Sequence, residues 1–149
     1  MNNSVMTKKI SLSIFIITFA VIIYAAEDVI VFDSVFFKKF SSVHPIKKDI
    51  VFENMLNKQV IGRGIIRSVS LYKRYKKKYR IIIESAESSR YNHKVLYYVF
   101  LEDKNTTDIL DLNSKFEFKG HLIGYTPLGT KRNEYILDII FIEGSTIIE

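Results

Sequence analysis

Between residues 115 and 122 apolar and polar positions alternate without a break. Phe116, Phe118, Gly120 and Leu122 fall on one side and Lys115, Glu117, Lys119 and His121 on the other, the pattern of a strand with one dry and one wet face. Residues 60–71 alternate as well, but in two phases. Val60, Gly62, Gly64 and Ile66 share a face opposite Arg63 and Arg67, after which the apolar set moves to Val69 and Leu71. A change of phase within one strand needs an extra residue, so a bulge is expected near Arg67 and Ser68, in a first strand that Gly62 and Gly64 allow to coil tightly. Further strands are predicted over 79–84, 95–102 and 135–142. The run Val95-Leu96-Tyr97-Tyr98-Val99-Phe100-Leu101 is apolar enough to be covered on both faces, and Gly144 is expected to end the last strand. A polar loop separates the second and third strands. A short helix over 105–112, with Thr106 or Thr107 as N-cap and Ile109, Leu110 and Leu112 as its apolar side, separates the third and fourth. The turn formers Gly124, Thr126, Pro127, Gly129, Thr130 and Asn133 predict a loop before the fifth.

Upstream the pattern changes. Phe32, Val35, Phe36 and Phe40 recur partly at helical spacing, so residues 29–40 predict a short helix or an irregular lead-in. Pro45 interrupts, and Ile50, Phe52, Met55 and Leu56 predict a helical turn on the end of the domain. Earlier still, Lys8 and Lys9 precede an apolar run over 10–24, followed by Ala25 and Ala26 and then Glu27 and Asp28. This is the order of a secretory signal: cations that stay on the cytoplasmic side, a short apolar stretch, then small residues at a cleavage point. Tyr24 or Ile23 stands where a small residue is preferred three positions before the cut, so a retained membrane anchor is the alternative. A buried helix of a cytosolic protein is the plainer one. The chain therefore divides into residues 1–26 as signal peptide or anchor, 27–58 as a lead-in with short helices, and 59–149 as a β domain. The expected location is the periplasm or the exterior, or the inner membrane if the N-terminal helix stays attached.

Five strands, a coiled first strand with central glycines and a short helix between the third and fourth predict an all-β fold, the five-stranded Greek-key barrel of the OB-fold. Phe52-Glu53-Asn54-Met55-Leu56-Asn57-Lys58-Gln59-Val60, then Gly64-Ile65-Ile66 and Val69, resembles the opening of small exported OB-fold proteins of the tRNA-anticodon-binding-like family. In those proteins an apolar helix end leads through a lysine into a strand carrying a glycine and two aliphatics. Residues 112–120 resemble their turn into the fourth strand. The resemblance spans about residues 52–144, and implies export and a binding role with no catalytic residues to carry over.

The composition narrows the chemistry. With 149 residues and no cysteine, the chain excludes thiol nucleophiles, thiolate metal sites and a lipid-modified N-terminal cysteine. His44, His93 and His121 lie far apart and are read as solvent-exposed rather than as metal ligands. No serine sits in a nucleophile elbow, and Glu84, Glu87, Asp103 and Asp108 form no compact acidic motif. Neither a metal, a cofactor nor an enzymatic activity is expected.

The net charge of +6 concentrates in one place. Leu71-Tyr72-Lys73-Arg74-Tyr75-Lys76-Lys77-Lys78-Tyr79-Arg80 falls in the turn between the first two barrel strands, beside the face that OB-folds use for binding. Cations there can hold phosphates or anionic headgroups, and tyrosines can stack on bases or sugars. The candidate ligand-binding residues are Arg63, Arg67, Tyr72, Lys73, Arg74, Tyr75, Lys76, Lys77, Lys78 and Arg90. The same run also reads as a solvated turn that keeps sheet edges soluble. The partner classes are a protein, a glycan or an anionic membrane surface, with single-stranded nucleic acid as a competing reading that export disfavours, and a purely structural envelope protein as a third.

Overall fold

The computed structural model describes residues 28–147. The leader expected over residues 1–26 lies outside them. Six strands form one sheet: β1 (Ile30–Val31), β2 (Gln59–Arg74), β3 (Lys77–Glu84), β4 (Lys94–Leu101), β5 (Lys115–Leu128) and β6 (Glu134–Thr146). Neighbours run β2-β3-β4-β6-β5, and β5 pairs back onto β2, so these five close into a ring. All of the ring pairings are antiparallel except β4 with β6. A five-stranded Greek-key barrel of this order is the OB-fold. The strand β1 adds to β2 in parallel, matching Ile30 with Val60.

The length of β2 lets it serve two neighbours within the ring. Its first half, from Gln59 to Ile65, pairs with β5, while its second half, from Ile65 onward, pairs with β3. The changeover coincides with a register shift between Ile66 and Ser68, the bulge that the change of apolar phase implied. The inward faces are those read from the alternation: Val60, Ile66, Phe116, Phe118 and Leu122 are buried, as are Tyr97, Tyr135, Leu137 and Ile139 from the other strands.

The lead-in forms two helices, α1 (Ser34–Ser42) and α2 (Pro45–Glu53). The Asp33 carboxylate caps α1 by accepting from the Phe36 N–H at 2.8 Å. Pro45 begins α2 rather than interrupting structure, because a first-turn N–H has no intrahelical partner to lose. Both helices turn phenylalanines onto the barrel end. Phe40 and Phe52 pack at 4.9 Å between centroids, and each meets Tyr135, at 5.7 and 4.8 Å. Phe32, Phe37, Phe40 and Phe52 belong to the same buried cluster as the barrel interior. Asp49 of α2 adds a polar fastening, accepting from the Tyr135 hydroxyl at 3.0 Å and pairing with Arg132 at 3.2 Å.

Several expectations are corrected. The helix placed over 105–112 is the shorter α4 (Lys104–Asp108): the Asp103 carboxylate accepts from Asn105 N and Thr106 N and so caps it earlier than Thr106 or Thr107 would. Ile109 and Leu112, expected on its apolar side, are exposed. The polar loop after β3 contains one helical turn, α3 (Ala86–Ser89), which Ser85 caps through Ser88 N. Gly124, Thr126 and Pro127 lie within β5, not in a loop. Past His121 that strand has lost β2 as a neighbour, and a strand paired on one side tolerates proline. Finally, β6 runs through Gly144 to Thr146, since a glycine there lets the backbone pass the Phe116 ring.

His93 is also not exposed. It lies under α1 and α2, its Nε2 2.8 Å from the ammonium of the buried Lys48 and its ring edge-on to Phe40. With Nδ1 donating to Tyr91 O, Nε2 is left to accept from Lys48. Burial, followed by the neighbouring Lys48 charge, outweighs the Tyr91 hydrogen bond and holds the imidazole below its ordinary range; burial likewise lowers Lys48. In the unfolded chain His93 takes up a proton near its ordinary pKa, whereas the folded chain resists it. Its stabilising effect is therefore complete above pH about 6.5 and is lost as the pH falls from there toward the depressed folded value. The urea midpoint is expected to drop between pH 7.5 and 5, and the drop should shrink in His93→Gln, which keeps an acceptor for Lys48 without a titrating ring.

Candidate ligand-binding face

The hairpin joining β2 to β3 has a two-residue turn. Arg74 pairs with Lys77, leaving Tyr75 and Lys76 at the tip with φ of 54° and 60°. Two-residue hairpin turns of this hand favour Asn-Gly, because other side chains crowd the backbone at positive φ. Lys76→Gly is accordingly expected to raise stability by about 1 kcal/mol, read as a higher urea midpoint. Tyr75 is held there by what it touches. Its ring meets Phe100 edge-on at 5.1 Å, and its hydroxyl donates to Asp138 Oδ2 at 2.6 Å. Burial, reinforced by the Asp138 carboxylate, raises its pKa and keeps it protonated as the donor. Arg74 approaches the same oxygen at 3.4 Å while stacking on the Tyr75 ring.

The tip thus folds back over the outer face of β4 and β6. Phe100 points away from the barrel interior yet is fully buried, and Asp138, on the outer side of β6, is only 6 % exposed. Beside this latch lies a stack. The Arg80 guanidinium sits 4.0 Å from the Tyr72 ring centroid and 4.8 Å from that of Tyr98. Its Nε and the hydroxyl of its cross-strand neighbour Ser70 are buried with no hydrogen-bond partner among the described residues. Tyr72 remains 41 % exposed. Along the rim, Lys73, Lys76, Lys77 and Lys78 join Arg74 and Tyr75 around a shallow depression of about 480 Å³, with Glu102 as its acidic member, 2.8 Å from Lys78.

The structure brings Tyr72, Lys73, Arg74, Tyr75, Lys76, Lys77 and Lys78 together, as their adjacency in the chain required. It does not bring Arg63, Arg67 or Arg90 to them. Arg67 lies seven residues down β2, about 23 Å along a strand from Arg74, and binds Glu84 at 2.6 Å and Asn113 at 3.2 Å. Arg63 and Arg90 grip the two carboxylate oxygens of Glu87 on α3, at 3.3 and 3.2 Å, beside a separate cavity. Ser70, Tyr98, Phe100 and Asp138 were not among the sequence candidates, and Arg80 closed the basic run 71–80 without being singled out. A lone acid inside the apolar strand 135–142 and the outward parity of Tyr98 and Phe100 were the signals available. Among the described residues no group of histidine, aspartate and glutamate side chains is placed to hold a metal ion.

No protein-family model matches the chain, and neither does any curated protein. Solved structures do. An aspartyl-tRNA synthetase from Leishmania major shares 11 % identity at a TM-score of 0.46, over 85 % of this chain and 22 % of its own. A Klebsiella pneumoniae lipoprotein, named for a presumed nucleic-acid-binding role, shares 15 % at 0.47, over 79 % of this chain and 91 % of its own. The N-terminal domain of PriB from Thermoanaerobacter tencongensis shares 17 % at 0.37, over 61 % and 97 %. The chain spans less than a quarter of the synthetase, and the barrel assignment stands on the strand order described above.

Proposed function

We propose that this protein is a non-enzymatic OB-fold binding module of the cell envelope, exported by its apolar N-terminal segment, and that the β2–β3 hairpin and the outer face beside it hold an anionic ligand. The observation that carries this reading is the Arg80 guanidinium, fixed between two tyrosine rings with its Nε unpartnered next to the unpartnered Ser70 hydroxyl, on the strand that leads out of the hairpin whose four lysines line the depression. An arginine held by stacking is already ordered, so little conformational entropy remains to be lost when the half-exposed Tyr72 ring moves aside and an anion meets the guanidinium. An acidic glycan, an acidic protein segment or an anionic surface supplies that chemistry.

A second reading is single-stranded nucleic acid, favoured by the half-exposed Tyr72 ring, which stacks on Arg80 and precedes the basic hairpin in the chain, a stacking platform of the kind OB-folds use. One pair of titrations separates the two. With a sulfated oligosaccharide, binding is expected to be lost when Lys73, Lys76, Lys77 and Lys78 become glutamine, and to change little in Tyr72→Phe. With oligo-dT, the nucleic-acid reading requires a loss of about fiftyfold in affinity between 50 and 200 mM salt for four phosphate contacts, and a comparable loss in Tyr72→Ala. Absence of binding to both probes at low salt would overturn the anion reading.

A further inference from the structure

The helical hairpin that closes the barrel end has an outward face that no described residue covers. On α2, Ile46 is 80 % exposed and Ile50 is 50 % exposed, one helical turn apart. On α1, Val35 is 57 % exposed, on the side opposite Phe37 and Phe40. Both helices press their phenylalanines onto the barrel, so the faces bearing these aliphatics both turn away from it. The polar residues around them are mostly cationic. Lys38, Lys39 and Lys47 are exposed there, against one exposed acid, Glu53 at the end of α2, while Asp33 and Asp49 are half-buried, Asp33 capping α1 and Asp49 paired with Arg132. An apolar stripe ringed by lysines has the composition of a helix face that lies in the headgroup region of an anionic bilayer.

The connection to the leader says where that face would sit. Five residues separate Tyr24, the end of the apolar run, from Ile30, the start of β1, and the six steps from one to the other reach about 20 Å when extended. If the apolar run stays in the bilayer, the lead-in cannot leave its surface. We propose that the outward face of the α1–α2 hairpin, with Val35, Ile46 and Ile50 set among Lys38, Lys39 and Lys47, docks on an anionic membrane surface. This rests on the envelope reading in its retained-anchor form, and it assigns the membrane contact to a different surface from the ligand-binding hairpin.

The chain contains no tryptophan, which makes a direct test available. Full-length Ile46→Trp is reconstituted into vesicles of phosphatidylcholine with 30 % phosphatidylglycerol, and into phosphatidylcholine alone. Thr130→Trp, in the exposed β5–β6 turn, serves as the control. Docking is expected to shift the Ile46→Trp emission to the blue and to make it quenchable by brominated lipid in the anionic vesicles, with Thr130→Trp unchanged. Adding Ile50→Asp should weaken the quenching about tenfold.

Flotation reads the anchor separately from the docking. Protein that floats while Ile46→Trp stays water-like overturns the docking face and leaves the anchor standing. Protein that neither floats nor shifts its emission on anionic vesicles overturns both. A blue shift without lipid that vanishes on dilution would assign the face to a second copy of the chain, and one that persists on dilution would assign it to the chain's own leader; either result overturns the proposal.

Discussion

Alanine at Gly64 is expected to cost the protein its fold. A Cβ at this position would lie 2.1 Å from the Glu84 carbonyl oxygen, 2.8 Å from the carbon behind it and 2.9 Å from an Ile83 methyl. The two nearest obstacles are backbone, and that backbone is part of the β2–β3 ladder, because Glu84 pairs with Ile65. A flexible side chain could swing aside; a hydrogen-bonded strand end cannot. Relief requires parting β2 from β3 where β2 exchanges one neighbour for the other. Overpacking of this kind costs about 3 kcal/mol or more, a large share of the roughly 5–15 kcal/mol by which a domain is stable. The expected readout is loss of the cooperative urea transition or of soluble protein. Gly129→Ala supplies the comparison. Its site has open space but a φ of 73°, so it should cost only about 1 kcal/mol, and similar losses at both positions would sink the steric account.

Phe52→Ala should come second, at about 3–5 kcal/mol. The ring is fully buried, with centroids 4.9 Å from Phe40, 4.8 Å from Tyr135 and 6.0 Å from Tyr125, so its removal leaves a cavity walled by rings too large to collapse into it. Because Phe52 belongs to the cluster that fills the barrel, the urea midpoint and hydrogen-exchange protection of residues 34–53 should fall together. An unchanged midpoint, with exchange accelerated only over 34–53, would show instead that the helical hairpin opens independently of the barrel.

The parts of the fold that could be read from the chain are those set by one strand and its own two faces. Phe116, Phe118, Gly120 and Leu122 alternate because each meets the interior, and the bulge after Ile66 left its mark as a change of phase. What escaped reading depends on elements distant in sequence. Pro127 looks like a turn residue until β5 is seen to run past the start of β2. Phe100 and Asp138 are buried on an outward face only because Tyr75 and Arg74 fold over them, and His93 is buried only because Phe40 and Lys48 arrive from the lead-in. The basic hairpin was legible as a cluster, since seven of its candidates are consecutive, whereas Arg63, Arg67 and Arg90 looked equally free until their glutamates were placed. The Arg80 clamp required knowing that Tyr72 and Tyr98 flank it from two other strands.

The divided allegiance of β2 also governs the order in which the molecule can assemble. Its later half finds β3 across a two-residue turn, and β4 follows soon after, so a three-stranded meander needs only nearby chain. Its earlier half waits for β5, with Gln59 meeting His121 about sixty positions downstream, and β4 waits for β6. Until those last two strands emerge, a nascent or half-threaded polypeptide carries an open sheet with bare edges, a state that invites pairing with other chains. Ring closure is then the late, long-loop event expected to set the folding rate.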